Sequence, residues 1–225
     1  GHYKEAYDFI MAHRFHPWEG GEGKITGQYT ICHVELAKIA LREHRYADAL
    51  ALLQATDQYP YNLGEGKLIN AEENDIWYYK GLAYRGLGDE ENAKLWLHKA
   101  TQGSAEPQQA FFYNDAQPDK IFYQGLAWRK LGEEDKARSR FNRLIKHGEK
   151  HLFDKVKIDY FAVSLPDLLI WDDDLNVRNL IHCNLVMGLG YLGLGDKEQA
   201  RKFLSEVIGL DINHQVGQQL LKMCE

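Results

Sequence analysis

Small and apolar residues return in phase along the chain. Ala37, Gly81, Gly125 and Gly188 are separated by 44, 44 and 63 residues. Twelve residues after each stands an alanine (Ala49, Ala93, Ala137, Ala200), and four residues later a large apolar side chain (Leu53, Leu97, Phe141, Leu204). Trp77, Gly81 and Tyr84 share one helical stripe by their i, i+4, i+7 spacing. The pattern predicts pairs of helices, each pair needing a neighbour to bury its apolar face. A glycine inside such a helix costs about 1 kcal/mol relative to alanine. Its recurrence predicts a notch where the facing helix approaches closely. Between the two helices of a pair stand Leu87-Gly88-Asp89, Leu131-Gly132-Glu133 and Leu194-Gly195-Asp196, with Glu43-His44-Arg45 in the first pair. These read as a helix stop followed by a cap for the next helix.

The slots Trp77, Gly81, Tyr84, Ala93 and Leu97 resemble the tetratricopeptide repeat. The third unit follows with Ile121, Gly125, Trp128, Ala137 and Phe141, and the fourth with Gly188, Tyr191, Ala200 and Leu204. The first unit is weaker: Leu36, Ala37, Ala40, Ala49 and Leu53. The resemblance implies an all-α fold, an α-solenoid of stacked antiparallel helical hairpins. The family period is about 34 residues, so spacings of 44 and 63 imply long inter-repeat extensions. Ala6 and Ile10 occupy second-helix slots, which predicts a half repeat over 1–16. Full repeats follow over about 28–58, 74–103, 118–150 and 180–210, then a terminal helix over 213–225. The expected organisation is one solenoid domain, either a piece of a longer protein or a stack capped by its first helix.

The extensions carry the candidate chemistry. His16-Pro17-Trp18-Glu19-Gly20-Gly21-Glu22-Gly23-Lys24 aligns with Tyr59-Pro60-Tyr61-Asn62-Leu63-Gly64-Glu65-Gly66-Lys67, 43 residues on. Trp18, Glu19, Glu22, Lys24, Tyr61, Glu65 and Lys67 are therefore candidate ligand-binding residues on one edge. The other reading is that the glycines turn the chain while Glu and Lys cap adjacent helices. The third extension holds Phe111-Phe112-Tyr113-Asn114-Asp115 and then Asp119, with Asp115 or Asp119 as candidate caps. The fourth holds an apolar run over 159–171, broken by Pro166. Asp172, Asp174 and Asn176 have the first spacings of a calcium loop. Val177 and Cys183 stand where glycine and glutamate are needed, so an exposed turn with a helix cap is expected.

Several patterns fail on context. Gly188-x-Gly190-x-x-Gly193 matches a dinucleotide fingerprint, yet it lies within a repeat helix and follows no strand. Each Gly-Glu-Gly-Lys lacks the following Ser or Thr of a phosphate-binding loop, with Ile25 and Leu68 in that place. His147 and His151 are one turn apart with no third ligand indicated, and they read as solvated helix residues, as do His13 and His16. No metal, cofactor or catalytic nucleophile is indicated, so the expectation is a non-enzymatic protein.

Family resemblance places the first helix of each hairpin along a groove. That would line it with Tyr78, Leu82 and Arg85, with Phe122, Leu126 and Arg129, with Val34, Lys38 and Leu41, and with Leu185, Leu189 and Leu192. Tyr78, Arg85, Phe122 and Arg129 join the candidate ligand residues, the two arginines for carboxylate or phosphate. The family's carboxylate clamp needs Lys and Asn in several of these slots, and only Lys38 fits. The groove therefore either takes an apolar partner segment or is covered by the extensions.

Composition narrows the partners. The net charge of −6 gives no general grip on nucleic acid or anionic membranes. Three cysteines (Cys32, Cys183, Cys224) form no disulfide framework, which predicts a reducing, cytoplasmic setting. The expected function is a scaffold for a protein or peptide partner, including another domain of the same chain. Two alternatives stand beside it. The Pro-Trp-Glu-Gly-Gly-Glu-Gly-Lys segment is similar to one in large bacterial tetratricopeptide proteins with an amino-terminal sugar-enzyme-like β-sandwich, which implies carbohydrate binding. Exposed aromatic edges would instead support a homodimer.

Overall fold

The computed structural model describes residues 1–18, 20–110, 115–157 and 173–225. Glu19, the 111–114 segment, the apolar run over 159–171 and Asp172 lie outside the described residues. Among the described residues the structure is helical, with no strand. The helices are α1 (Tyr3–Ala12), α2 (Lys24–Arg42), α3 (Tyr46–Gln54), α4 (Asn74–Gly86), α5 (Glu90–Lys99), α6 (Pro118–Lys130), α7 (Glu134–His151), α8 (Leu175–Leu194), α9 (Lys197–Leu210) and α10 (Gln215–Met223). They fall into two compact units, Gly1–Ala100 and Thr101–Glu225. In the first, α1 packs on α2, and hairpins α2–α3 and α4–α5 follow. In the second, hairpins α6–α7 and α8–α9 are covered at the end by α10.

One turn joins the two helices of every hairpin. Gly88, Gly132 and Gly195 take φ of 82°, 84° and 84°, the left-handed conformation that glycine adopts without a Cβ penalty. In the first of these, the Gly88 N–H donates to Arg85 O at 3.0 Å and the Asp89 N–H to Tyr84 O at 3.0 Å. This pair of bonds satisfies the open carbonyls at the helix end. The same two bonds recur at Gly132 and Glu133, at Gly195 and Asp196, and at His44 and Arg45. Asp89 and Asp196 then cap the next helix through the N–H groups of Asn92 (3.0 Å) and Gln199 (3.1 Å). In the first hairpin His44 is forced to φ 59°.

The glycine notches are filled from the partner helix. A Cβ on Gly81 would lie 2.7 Å from Leu97 Cγ, one on Gly125 2.3 Å from Phe141 Cε1, and one on Gly188 2.7 Å from Leu204 Cγ. Each glycine thus receives the apolar side chain sixteen residues on, and Ala37 takes the equivalent buried place in the first hairpin. The fingerprint-like run in α8 has the same explanation. Gly188 faces α9, while Gly190 faces Ile145 and Phe141 O of α7, and Gly193 faces the Phe141 ring. Gly148 of α7 meets Cys183 O and Met187 of α8. Helix α8 is buried on several sides, so its glycines serve close packing rather than a phosphate.

Buried amides and hydroxyls close other helix ends. Asn74 donates to Ala100 O at 2.9 Å, Asn179 to His151 O at 2.8 Å, and the Tyr29 hydroxyl to Ala55 O at 3.1 Å. Burial, and then the Tyr7 and Tyr59 hydroxyls, raise the Tyr29 pKa, which keeps it a donor. Gln124, fully buried, donates to Gln102 O and Ser104 O and accepts from Arg140 Nε. Helix α6 starts on Pro118 behind Gln117 and has no side-chain cap. Pro118 takes a place where an N–H is dispensable. Asp174 caps α8 through the Asn176 N–H at 2.8 Å. His147 departs from the solvated position expected for it. It lies beside the buried Leu144 and Gly148 on the α8-facing side of α7, with its Nε2 enclosed.

Two stability measurements test this packing. Gly125→Ala should destabilise the protein by about 1–3 kcal/mol through overpacking. Combining it with Phe141→Leu should recover part of that cost, a coupling of at least about 0.5 kcal/mol in a denaturant double-mutant cycle. His44→Gly should raise stability by about 1 kcal/mol, since the left-handed conformation costs a non-glycine residue roughly that much.

Candidate functional site

The two similar loops of the first unit lie against each other. Helix α1 ends at Ala12, and Asn62 receives it by donating to Ile10 O at 3.1 Å and His13 O at 2.9 Å. The Phe15 N–H donates to Asn62 O at 2.8 Å, aligning the first loop with the 3₁₀ turn Tyr61–Leu63. Beneath them Ile10, Tyr29 and Leu63 form a buried cluster, flanked by Tyr7, Met11, Phe15, Ile25 and Tyr59. Gly64, at φ 80°, sits so close that a Cβ would lie 2.7 Å from Phe15 O.

The acid and base of the second loop are spent on this packing. Glu65 accepts from the Gly23 N–H at 2.9 Å. Gly23 is the N-cap residue of α2 and supplies no side-chain cap. Glu65 therefore does that work from 42 residues away, where a carboxylate also complements the helix dipole. Lys67 donates to Thr56 O at 2.8 Å, pairs with Glu73 at 2.6 Å and lies 5.9 Å from the Tyr59 ring centre. In the first loop the matching Glu22 accepts locally, from the Gly20 N–H at 2.8 Å. Lys24 opens α2. The two copies of the motif thus share residues but not roles.

What the edge presents outward is aromatic. Trp18 is 50% exposed and Tyr61 85% exposed. The Trp18 indole rests on Gly21, where a Cβ would lie 1.8 Å from Trp18 Cε2, so only glycine permits that ring position. The Arg14 guanidinium stands 5.4 Å from the Tyr61 ring centre and donates to its hydroxyl at 3.4 Å. Both rings are held by neighbours while one face remains open.

The first-helix candidates sit elsewhere. Tyr78 is 7% and Phe122 1% exposed, so both belong to the core. Each pairs edge-on with its successor, Tyr78 with Tyr79 at 5.2 Å and Phe122 with Tyr123 at 5.3 Å. Arg85 lies 3.4 Å from Glu90 across the hairpin turn. Arg129 repeats that pairing with Glu134, donating to both carboxylate oxygens at 2.9 Å. It also donates to Gly193 O at 2.7 Å, near the end of α8. The Arg129 hydrogen bonds hold the Glu134 carboxyl below its ordinary range. Both arginines thus contribute to helix packing.

Sequence reasoning missed Lys80. It is 1% exposed, its ammonium bonds both Asp57 oxygens at 2.7 and 2.8 Å, and it lies 4.6 Å from the Trp96 ring centre. Lys99 then lies 4.6 Å from Trp77 and 4.9 Å from Trp96. The Lys80 pair locks the end of α3 to α4. The adjacency of Lys80 to the notch glycine was the available signal, because a lysine on a helix's buried face needs a specific anion.

Among the described residues no group of three His, Cys, Asp or Glu side chains is placed to hold a metal, and no helix is long and apolar enough to cross a membrane. Paired tests probe the loop contact. Gly64→Ala should cost about 2 kcal/mol or more, from positive φ and the Phe15 carbonyl together. Gly66→Ala, which meets nothing within 4 Å, should change stability by less than about 0.5 kcal/mol in the same denaturation assay.

Comparison with known families agrees with the geometry. Tetratricopeptide repeat family models match residues 75–102 and 121–147, which correspond to hairpins α4–α5 and α6–α7. Hairpins α2–α3 and α8–α9 repeat the same turn, and the same notch is occupied in each by Ala37 or Gly188. The chain therefore carries tetratricopeptide repeats at residues 75–102 and 121–147, and the hairpins on either side share their turn and notch.

Proposed function

We propose that this protein is a non-enzymatic scaffold that binds a protein or peptide segment at the loop-lined edge of its first unit. Tetratricopeptide repeats in general mediate protein–protein interaction, which supports the coarse reading. The observation that carries the finer one is the pair of exposed, braced rings, Trp18 and Tyr61. Rigid aromatic side chains with one open face are the residues on which binding energy concentrates. Arg14 beside Tyr61 adds a cation for an acidic or carbonyl-bearing segment. Glu22 and Lys24 border Trp18 in sequence and form the polar rim. Glu65 and Lys67 support the platform from behind, through Gly23 and Glu73.

Peptides selected from a displayed library on the intact chain test this assignment. Trp18→Ala and Tyr61→Ala should each weaken a selected peptide by about tenfold or more, the scale of an interface hot spot. Arg85→Ala should leave affinity within about twofold. Peptides indifferent to both aromatic substitutions would remove the edge from consideration. Binding of oligosaccharides, abolished by the same two substitutions, would favour the carbohydrate reading instead.

A further inference from the structure

A separate feature stands in the second unit. Helix α10 has nine residues, too short to persist in water without packing. It lies closely on α9, since a Cβ on Gly217 would come within 2.9 Å of Val207 Cγ1 and 3.2 Å of Ile208 Cδ1. Leu220 and Cys224 are buried, and Arg201 of α9 donates to Cys224 O at 2.7 Å. Its N-cap is unusual. Asp89, Asp174 and Asp196 cap their helices with carboxylates, whereas His214 caps α10 by accepting the Gly217 N–H on Nδ1 at 3.0 Å. An imidazole nitrogen accepts only while it is unprotonated.

Three further imidazoles stand close together in the same unit. The His147 ring stands 4.6 Å from His151 and 6.1 Å from His182. The Nε2 atoms of His147 and His182 are both enclosed and, among the described residues, neither has a hydrogen-bond partner. Among the described residues, a proton placed on either Nε2 would find no acceptor and would face another imidazole. We propose that the His214 cap makes α10 an acid-released helix, docked on α9 at neutral pH and detached when its imidazole charges.

The surroundings of each ring set the direction. Among the described residues, His182 faces His147 of α7, His214 ahead of α10 and the backbone of Gln108, whose hydrogen bond opposes the other effects. His147 faces His151 and Lys150, with Asp154 and Glu106 as the opposing anions. His214 faces Arg178 of α8, opposed by Asp211 and by a hydrogen bond to its own backbone. Burial is the largest cause in all three and lowers each pKa, that of His182 to about 4. With α10 detached, His214 regains the ordinary imidazole value, about 6.5. Below about pH 6.5 the open form therefore binds more protons. The docked state is fully favoured above that pH and is lost progressively as pH falls below it.

Cys224 reports the event, being buried at the end of α10. The intact chain is labelled with 4,4′-dithiodipyridine, sites are mapped by mass spectrometry, and rates are normalised to free cysteine at each pH. Cys224 labelling should accelerate roughly tenfold or more between pH 7.5 and 5, while Cys32 and Cys183 stay protected. His214→Asn and His214→Asp, which cap without an imidazole, should each flatten much of that dependence. Protection of Cys224 that is constant with pH would overturn the proposal. So would simultaneous exposure of all three cysteines, or an unchanged pH profile in a folded His214 variant.

Discussion

One contact recurs in the hairpins and positions the rest: a large apolar side chain of the second helix seated in a side-chain gap of the first. Leu97 enters at Gly81, Phe141 at Gly125 and Leu204 at Gly188. The gap has a cost, since glycine weakens a helix by about 1 kcal/mol. Seating a leucine or phenylalanine there returns roughly 1.5–3 kcal/mol in burial alone. It also fixes the rotation of both helices, because a residue one position away points about 100° elsewhere around the axis. The small alanines at Ala49, Ala93, Ala137 and Ala200, all fully buried, complete the close approach. The left-handed turn between the helices sets the second helix in register with the first. Its two backbone bonds appear at all four hairpins, including the one where histidine has to bear the conformation.

This is why the hairpins were legible in the sequence. Gly, Ala and apolar residues at spacings of 12 and 4 state both the notch and its occupant. The sequence pattern anticipated a backbone approaching each glycine; a side chain comes nearest at all three, and at Gly81 the Ala93 carbonyl also stands 3.3 Å from a Cβ position. Closer backbone approach occurs at Gly190 and Gly148, where carbonyls of the facing helix lie 2.7 Å from a Cβ position. The polar contacts were not legible for a different reason. Asn62, Asn74, Asn179 and Gln124 each satisfy carbonyls at the end of another helix or in a connection, and nothing in local spacing names a partner tens of residues away. Lys80 has the same character, its anion being Asp57 in a 3₁₀ turn.

The paired loops show how far a repeated sequence can mislead about repeated structure. Glu22 and Glu65 occupy matching places, yet one folds its own loop and the other caps the helix that follows the first loop. The difference arises because the second copy packs onto the first. Lys24 begins a helix, whereas Lys67 lies seven residues ahead of α4 and ties Glu73 to Thr56. Sequence symmetry therefore located the edge and its aromatic residues, while the roles of the charges depended on chain order.

That distribution of charges bears on where a partner can be recognised. A guanidinium already bonded to a carboxylate and a carbonyl gains little from a second anion, because the existing bonds must be lost first. Arg129 is in that position, held by Glu134 and Gly193, and Lys80 and Lys67 are held in the same way by Asp57 and Glu73. Their service is to the fold. Trp18 and Tyr61 differ, since ring faces braced by Gly21 and Arg14 still have apolar surface in water. Covering that surface requires no existing hydrogen bond within the protein to be broken. The physical asymmetry between satisfied charges and uncovered rings is what directs the binding assignment to the loop edge.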